Sequence, residues 1–226
     1  MKLMPALDAL IVIITFGLTL VVAGALALPV AGTWAIGAAL VAAAWRFNAS
    51  GLRWGDLGWR RGRPAWRLPL AVLAMLVLVT TANVLLVTPL GDAFGWPQQD
   101  LSRFQALRGD ATMLVGVLLL TWVSAAIGEE LLFRGVLLTR LEAALGGGRL
   151  AEGSAVAMQA MLFAAGHAYL GLRGVATALA VGLVFGAAYV LNGRNLVPLV
   201  LAHGLIDTIS LVAIYSGALA TDTGGA

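Results

Sequence analysis

Apolar runs of roughly bilayer length, joined by short polar segments, constrain the fold of this chain more than any other feature. A helix crossing a hydrocarbon core of about 30 Å needs about 20 apolar residues. Its backbone polar groups have to be satisfied within the segment, which leaves helices or closed barrels. Runs near 6–28, 31–44, 68–90, 111–145, 154–169, 175–191 and 196–219 meet or approach that length. The chain is 61% hydrophobic and 11% charged, against about 45–50% and 25% in soluble domains. The expected fold is all-α, a polytopic transmembrane helical bundle of about seven spans, with six to eight as the range. The run at 111–145 exceeds one bilayer thickness, so it has to tilt or protrude.

Charge placement sets an expected orientation. Residues 45–67 hold Arg46, Arg53, Arg60, Arg61, Arg63 and Arg67 against a single Asp56, with Trp45, Trp54, Trp59 and Trp66 between them. Arginine interleaved with tryptophan beside a span marks a cytoplasmic interfacial loop. The net charge of +3 therefore reads as membrane topology and not as nucleic-acid binding. With seven spans the N-terminus is cytoplasmic, Arg149 and Arg194 share that side, and Arg173 is the exception. Lys2, the first apolar run and AGALAL imitate a secretory signal. The length of that run and Asp8 within it favour an uncleaved span. Residues 100–109 suit a short interfacial helix, and 220–226 suit a frayed tail. Cysteine is absent, which excludes disulfides and thiolate catalysis. Gly182 and Gly186, four apart, suit close helix packing within the bundle.

Inside the run at 111–145 stand Glu129, Glu130 and Arg134. Each uncompensated charge near a bilayer centre costs at least about 2.5–3.5 kcal/mol. Glu130 and Arg134 are four apart and can pair along one helix face. Glu129 is turned about 100° away on an α-helix and is left over. A leftover intramembrane carboxylate is a functional candidate.

The two histidines, His167 and His203, also lie in apolar runs, and Asp207 follows His203 by four residues. Taken singly, each has a structural reading as an interhelical tie, and the Glu130–Arg134 pair as a register lock. A spare carboxylate beside that pair, with both histidines on other helices at membrane depth, points instead to chemistry on water or a metal. At about 1.5 Å per residue the three segments bring these groups together in the middle to cytoplasmic half of the bilayer.

These motifs resemble the CPBP family (CAAX protease and bacteriocin-processing), also called ABI. GEELLFRG at 128–135 matches its EExxxR signature, FAAGH at 163–167 its FxxxH motif and HGLID at 203–207 its HxxxN/D motif. The resemblance implies a core at 110–219 behind N-terminal transmembrane helices at 1–109. It implies an intramembrane endopeptidase acting on a membrane-associated protein or peptide within the lipid bilayer. In it Glu129 would activate water, and His167 would share that proton. Arg134 would hold Glu130, Phe163 would support the site, and His203 with residue 207 would stabilise the oxyanion. The prenyl-protein endopeptidases carry Asn where this chain has Asp207, so Asp207 has to be protonated, orient His203 or bind a metal.

Two mechanisms remain open. The favoured one needs no cofactor, with Glu129 as base. The other is a metalloprotease holding Zn²⁺ through Glu129, His167, His203 and Asp207, although no HExxH pair is present. A non-catalytic membrane scaffold or bacteriocin self-immunity protein of the same fold is the alternative function. A proton-relay transporter is disfavoured by the absence of an inverted repeat. The Ala-, Gly- and Arg-rich composition suits a bacterial inner (plasma) membrane, where prenylated substrates are not expected.

Overall fold

The computed structural model describes residues 3–50, 54–59 and 66–219. Arg53, Arg60, Arg61, Arg63 and the 220–226 tail lie outside the described residues, so the readings placed on them do too. Among the described residues the structure is all-helical, with no strand. Helices α1 (Leu3–Ala25) and α2 (Ala31–Ser50) form a hairpin. Helix α3 (Arg67–Ala82) widens into a π-helical turn (Asn83–Val87) and continues as α4 (Thr88–Ala93). Pro89 explains the widening, because it cannot donate to the Leu85 carbonyl and its ring crowds that turn.

The longest helix is one continuous rod made of α5 (Ala111–Thr121), a π-helical stretch (Trp122–Leu138) and α6 (Thr139–Leu145). Asp110 caps its start, accepting from the Met113 amide at 2.9 Å. Then come α7 (Arg149–Gly166), α8 (Gly171–Leu191) and α9 (Val197–Tyr215). The π-helical stretch is the axis of the bundle and touches α1, α2, α7, α8 and α9.

Among the described residues, five helical stretches are long and apolar enough to cross a membrane: Met4–Ala25, Arg67–Ala93, Ala111–Leu145, Ala168–Leu191 and Val197–Tyr215. The burial pattern is that of a lipid-solvated bundle. Leu18, Val21, Leu85 and Leu119 face outward, while Glu130 and Arg134 are fully buried.

Boundaries depart from the apolar runs where side chains find partners. α2 runs six residues past the expected end, because Arg46 reaches Asp8 of α1 at 2.8 Å and Phe47 is buried. A charge so neutralised does not stop a helix. The interfacial helix expected at 100–109 is a short 3₁₀ segment, Ser102–Leu107. His167 lies just past the end of α7, not inside it.

The bundle has two polar ends. One holds Asp8–Arg46, Arg194 bridging Glu142 (2.6 Å) and Glu152 (3.4 Å), and the Tyr189 hydroxyl donating to the Leu57 carbonyl (2.9 Å). There Gly58 (φ 106°) lies against the Arg194 carbonyl, where a Cβ would collide. The other end joins Arg173 to Asp92 (2.5 Å) and the Asp100 amide to the Leu170 carbonyl (3.1 Å). Between the ends α7 and α8 pack tightly. A Cβ on Gly182 would come within 2.8 Å of Ala160 Cα, and one on Gly186 within 2.6 Å of Gln159 Nε2. Both glycines thus face α7, as expected for packing inside the bundle.

Candidate active site

Three elements meet at the site: the π-helical stretch with Glu129, Glu130 and Arg134, the end of α7 with Phe163 and His167, and α9 with His203 and Asp207. Hydrogen bonding to the fifth residue along gives more residues per turn than an α-helix, hence less rotation per residue. Glu129 and Glu130 are therefore turned less far apart than α-geometry requires, and both reach the same imidazole.

Glu130 is the hub. Its Oε1 accepts from Arg134 Nη1 at 2.8 Å and from His203 Nδ1 at 2.7 Å. The pair with Arg134 is the one the spacing predicts, while the bond to His203 is not visible in the sequence. Because Glu130 is held as a carboxylate by Arg134, Nδ1 of His203 is the donor. Nε2 then faces the other way, 3.8 Å from Glu129 Oε2 and 3.5 Å from Asp207 Oδ2. His167 is oriented in the same manner. Its Nδ1 donates to the Phe163 carbonyl at 2.8 Å, which leaves Nε2 free.

Aromatic rings enclose the charges. Arg134 Cζ lies 4.6 Å from the Phe163 ring centre and 5.4 Å from that of Phe185, a cation between two π-faces. Phe163 also packs on His167 at 4.6 Å, and Phe185 meets the His203 ring edge-on at 6.0 Å. This makes the guanidinium tolerable without water.

Glu129 and Asp207 keep 15% and 28% of their side-chain surface exposed, whereas Glu130 and Arg134 keep none. The accessible carboxylates line a cavity of about 250 Å³ together with His167, His203, Gln99, Tyr169 and Ser210. Glu129 and His167 also line a smaller cavity of about 70 Å³ toward α1 and α2, bounded by Phe16 and Ile36. The larger cavity reaches the end of the bundle that carries Leu101, Phe104, Leu170 and Leu219. This is the end opposite the Arg46 and Arg194 ion pairs, whereas the spans as read from sequence put the meeting point nearer those pairs.

The candidate site residues Glu129, Glu130, Arg134, Phe163, His167, His203 and Asp207 are thus in this one region. Sequence reading missed Phe185, which closes the arginine sandwich, and Gln159. The latter is fully buried and ties α7 to α8 by donating to the Gly182 carbonyl at 2.8 Å. A lone glutamine in AVAMQAMLF was its signal. The Trp122 Nε1–Thr208 Oγ1 bond (3.2 Å) was missed as well, and Gly204 makes room for that indole.

The donor set was tested against zinc. No three His, Asp or Glu side chains among the described residues converge as a metal centre requires. Both Nδ1 atoms are engaged, by Glu130 and by the Phe163 carbonyl, which leaves each Nε2 as the nitrogen open to a metal.

Among the described residues, a bundle with apolar, span-length helices holds a carboxylate–histidine cluster beside a cavity, an arrangement with the groups that hydrolytic chemistry uses. Residues 111–209 match the family model described as type II CAAX prenyl endopeptidase Rce1-like. This match agrees with the resemblance to the CPBP family and supports a CAAX-protease-type membrane endopeptidase. No curated protein and no solved structure matches the chain.

Proposed function

We propose that the protein is an intramembrane endopeptidase that hydrolyses peptide bonds with a water activated by Glu129, without a metal. The observation that carries this is the division of labour between adjacent glutamates. Glu130 is sealed and hydrogen-bonded to Arg134 and His203, whereas Glu129 stands farther off, 3.8 Å from His203, and borders the cavity.

A water in the cavity gives its proton to Glu129 and attacks the scissile carbonyl carbon. The oxyanion so formed accepts a hydrogen bond from protonated Nε2 of His203, which Glu130 aims from the far side of the ring. The C–N bond then breaks, and the leaving nitrogen takes the proton from Glu129, with His167 sharing it. The products are a carboxylate and an amine. Asp207 lies on the Nε2 side of His203 and favours a proton there, the orienting role among those its position allows.

The same reading has the protein in a bacterial inner membrane with its N-terminus cytoplasmic, on the arginine-rich segments at that end of the bundle. In this reading α2 and α7 cross as well. With 20 and 18 residues they reach about 30 and 27 Å. Both are packed against the π-helical stretch, so they need less apolar surface than lipid-facing helices.

The test compares membrane-protein termini, by mass spectrometry, in cells expressing wild type or Glu129→Gln at matched levels. Termini present only with wild type are expected. Their absence, with both proteins folded in the membrane, would leave the scaffold or immunity reading.

A further inference from the structure

We infer that the substrate reaches this site from the non-cytoplasmic face, so that the enzyme acts on the exported side of membrane-associated polypeptides. The inference rests on the protease reading and on the orientation just proposed.

The first observation is where the open space lies. Apart from the site groups and Thr121 and Ala125 of the long helix, the cavity on Glu129 is walled by Gln99, Leu101 and Phe104 before α5, by Tyr169 and Leu170 before α8, and by residues at the end of α9. These elements all belong to one end of the bundle. A second cavity of about 280 Å³ shares Gln99, Leu101 and Leu219 with the first and continues at the same end past Asn83, Thr177 and Arg173. The two adjoin at Gln99, whose Nε2 donates to Thr177 Oγ1 at 3.0 Å. Hydrogen-bonding groups along such cavities suit an extended peptide better than a lipid chain.

The second observation is what lies at the opposite end. There the catalytic groups are capped by packed chain, with Leu196 and Leu199 fully buried and Leu57 nearly so. The Arg194–Glu142–Glu152 bridge and the Leu196 amide bond to the Gly58 carbonyl (2.9 Å) close it further.

The third is charge. The closed end carries Arg46, Arg67, Arg140, Arg149 and Arg194, and the segment joining α2 to α3 adds Arg53, Arg60, Arg61 and Arg63 in sequence. The open end carries Arg103, Arg108 and Arg173, alongside Asp92, Asp100 and Asp110. By the positive-inside rule the closed end faces the cytoplasm. Trp45 and Trp66, both exposed, mark the interface there. The open mouth therefore faces outward.

The sequence has no cysteine, so single-cysteine variants report without background. Ser210→Cys places a thiol in the cavity wall, and Leu150→Cys places one on the exposed start of α7 at the closed end. A membrane-impermeant sulfonated maleimide is applied to right-side-out spheroplasts and to inverted membrane vesicles. The expected result is labelling of Ser210→Cys in spheroplasts and its loss in inverted vesicles, with the reverse for Leu150→Cys. Labelling of Ser210→Cys from the cytoplasmic face, or from neither face, overturns the inference. This readout does not depend on activity. Outward labelling without any wild-type-specific cleavage would refute the protease reading alone, whereas cleavage confined to cytoplasmic segments would refute the outward access alone.

Discussion

Glu130 and His203, seventy-three residues apart, share a buried hydrogen bond of 2.7 Å from Nδ1 to Oε1, and this bond decides which imidazole nitrogen faces the cavity. Arg134 holds the same oxygen at 2.8 Å, so the orienting carboxylate is itself anchored. An ion pair on one helix thereby orients an imidazole on another.

This separates the two glutamates experimentally. Glu129→Gln is expected to abolish proteolysis while leaving the thermal unfolding temperature in detergent close to wild type. Glu130→Gln leaves Arg134 buried without its counter-charge, a loss of about 3–5 kcal/mol, and is expected to lower both unfolding temperature and activity. Equal unfolding losses in the two variants would remove the distinction.

Asp207→Asn is expected to keep turnover within about tenfold, equivalent to about 1.4 kcal/mol in the barrier. The amide oxygen still accepts on the Nε2 side of His203, and the neutral group no longer repels an oxyanion. Asp207→Ala removes that acceptor and is expected to lose more. If the aspartate contributes a required negative charge, Asn will be as damaging as Ala in the same kinetic assay.

Metal-free chemistry predicts that purified enzyme retains its activity after prolonged chelation and dialysis, and that added Zn²⁺ does not stimulate it. Loss on chelation with recovery at stoichiometric Zn²⁺ would establish the metalloprotease route instead.

Packing at α7–α8 gives a prediction independent of catalysis. Gly182→Val forces two methyl groups against Ala160, whose Cα lies 2.8 Å from the position of a Cβ. Overpacking of this kind costs about 1–3 kcal/mol. The variant is expected to unfold at lower temperature, whereas Gly17→Ala, where nothing lies within 4 Å of the added Cβ, is expected to be silent.

Much of this was legible in the chain itself. Glu129, Glu130, Arg134, His167, His203 and Asp207 stand out because charge and imidazole are costly in apolar runs, and cost makes their positions informative, whereas Phe163 came only with the family motif. The helical class and the existence of the long helices follow from the same economy, since lipid leaves the backbone few alternatives. Local chemistry also announced the Glu130–Arg134 pair, whose partners are one helical turn apart.

Other features depend on groups far apart in sequence, and no local pattern encodes them. The continuation of α2 past Arg46 needed Asp8 on a neighbouring helix, and the Arg134 sandwich needed Phe185 from α8. That Glu130 aims His203 follows from the widened turns of the central helix, which bring two adjacent carboxylates to one ring. The direction in which the cavity opens was likewise decided by tertiary structure, because it depends on which helix ends are packed shut and which are spread by the 99–104 segment. Sequence determined which groups had to be hidden from lipid; packing alone determined which of them face each other and which face the way in.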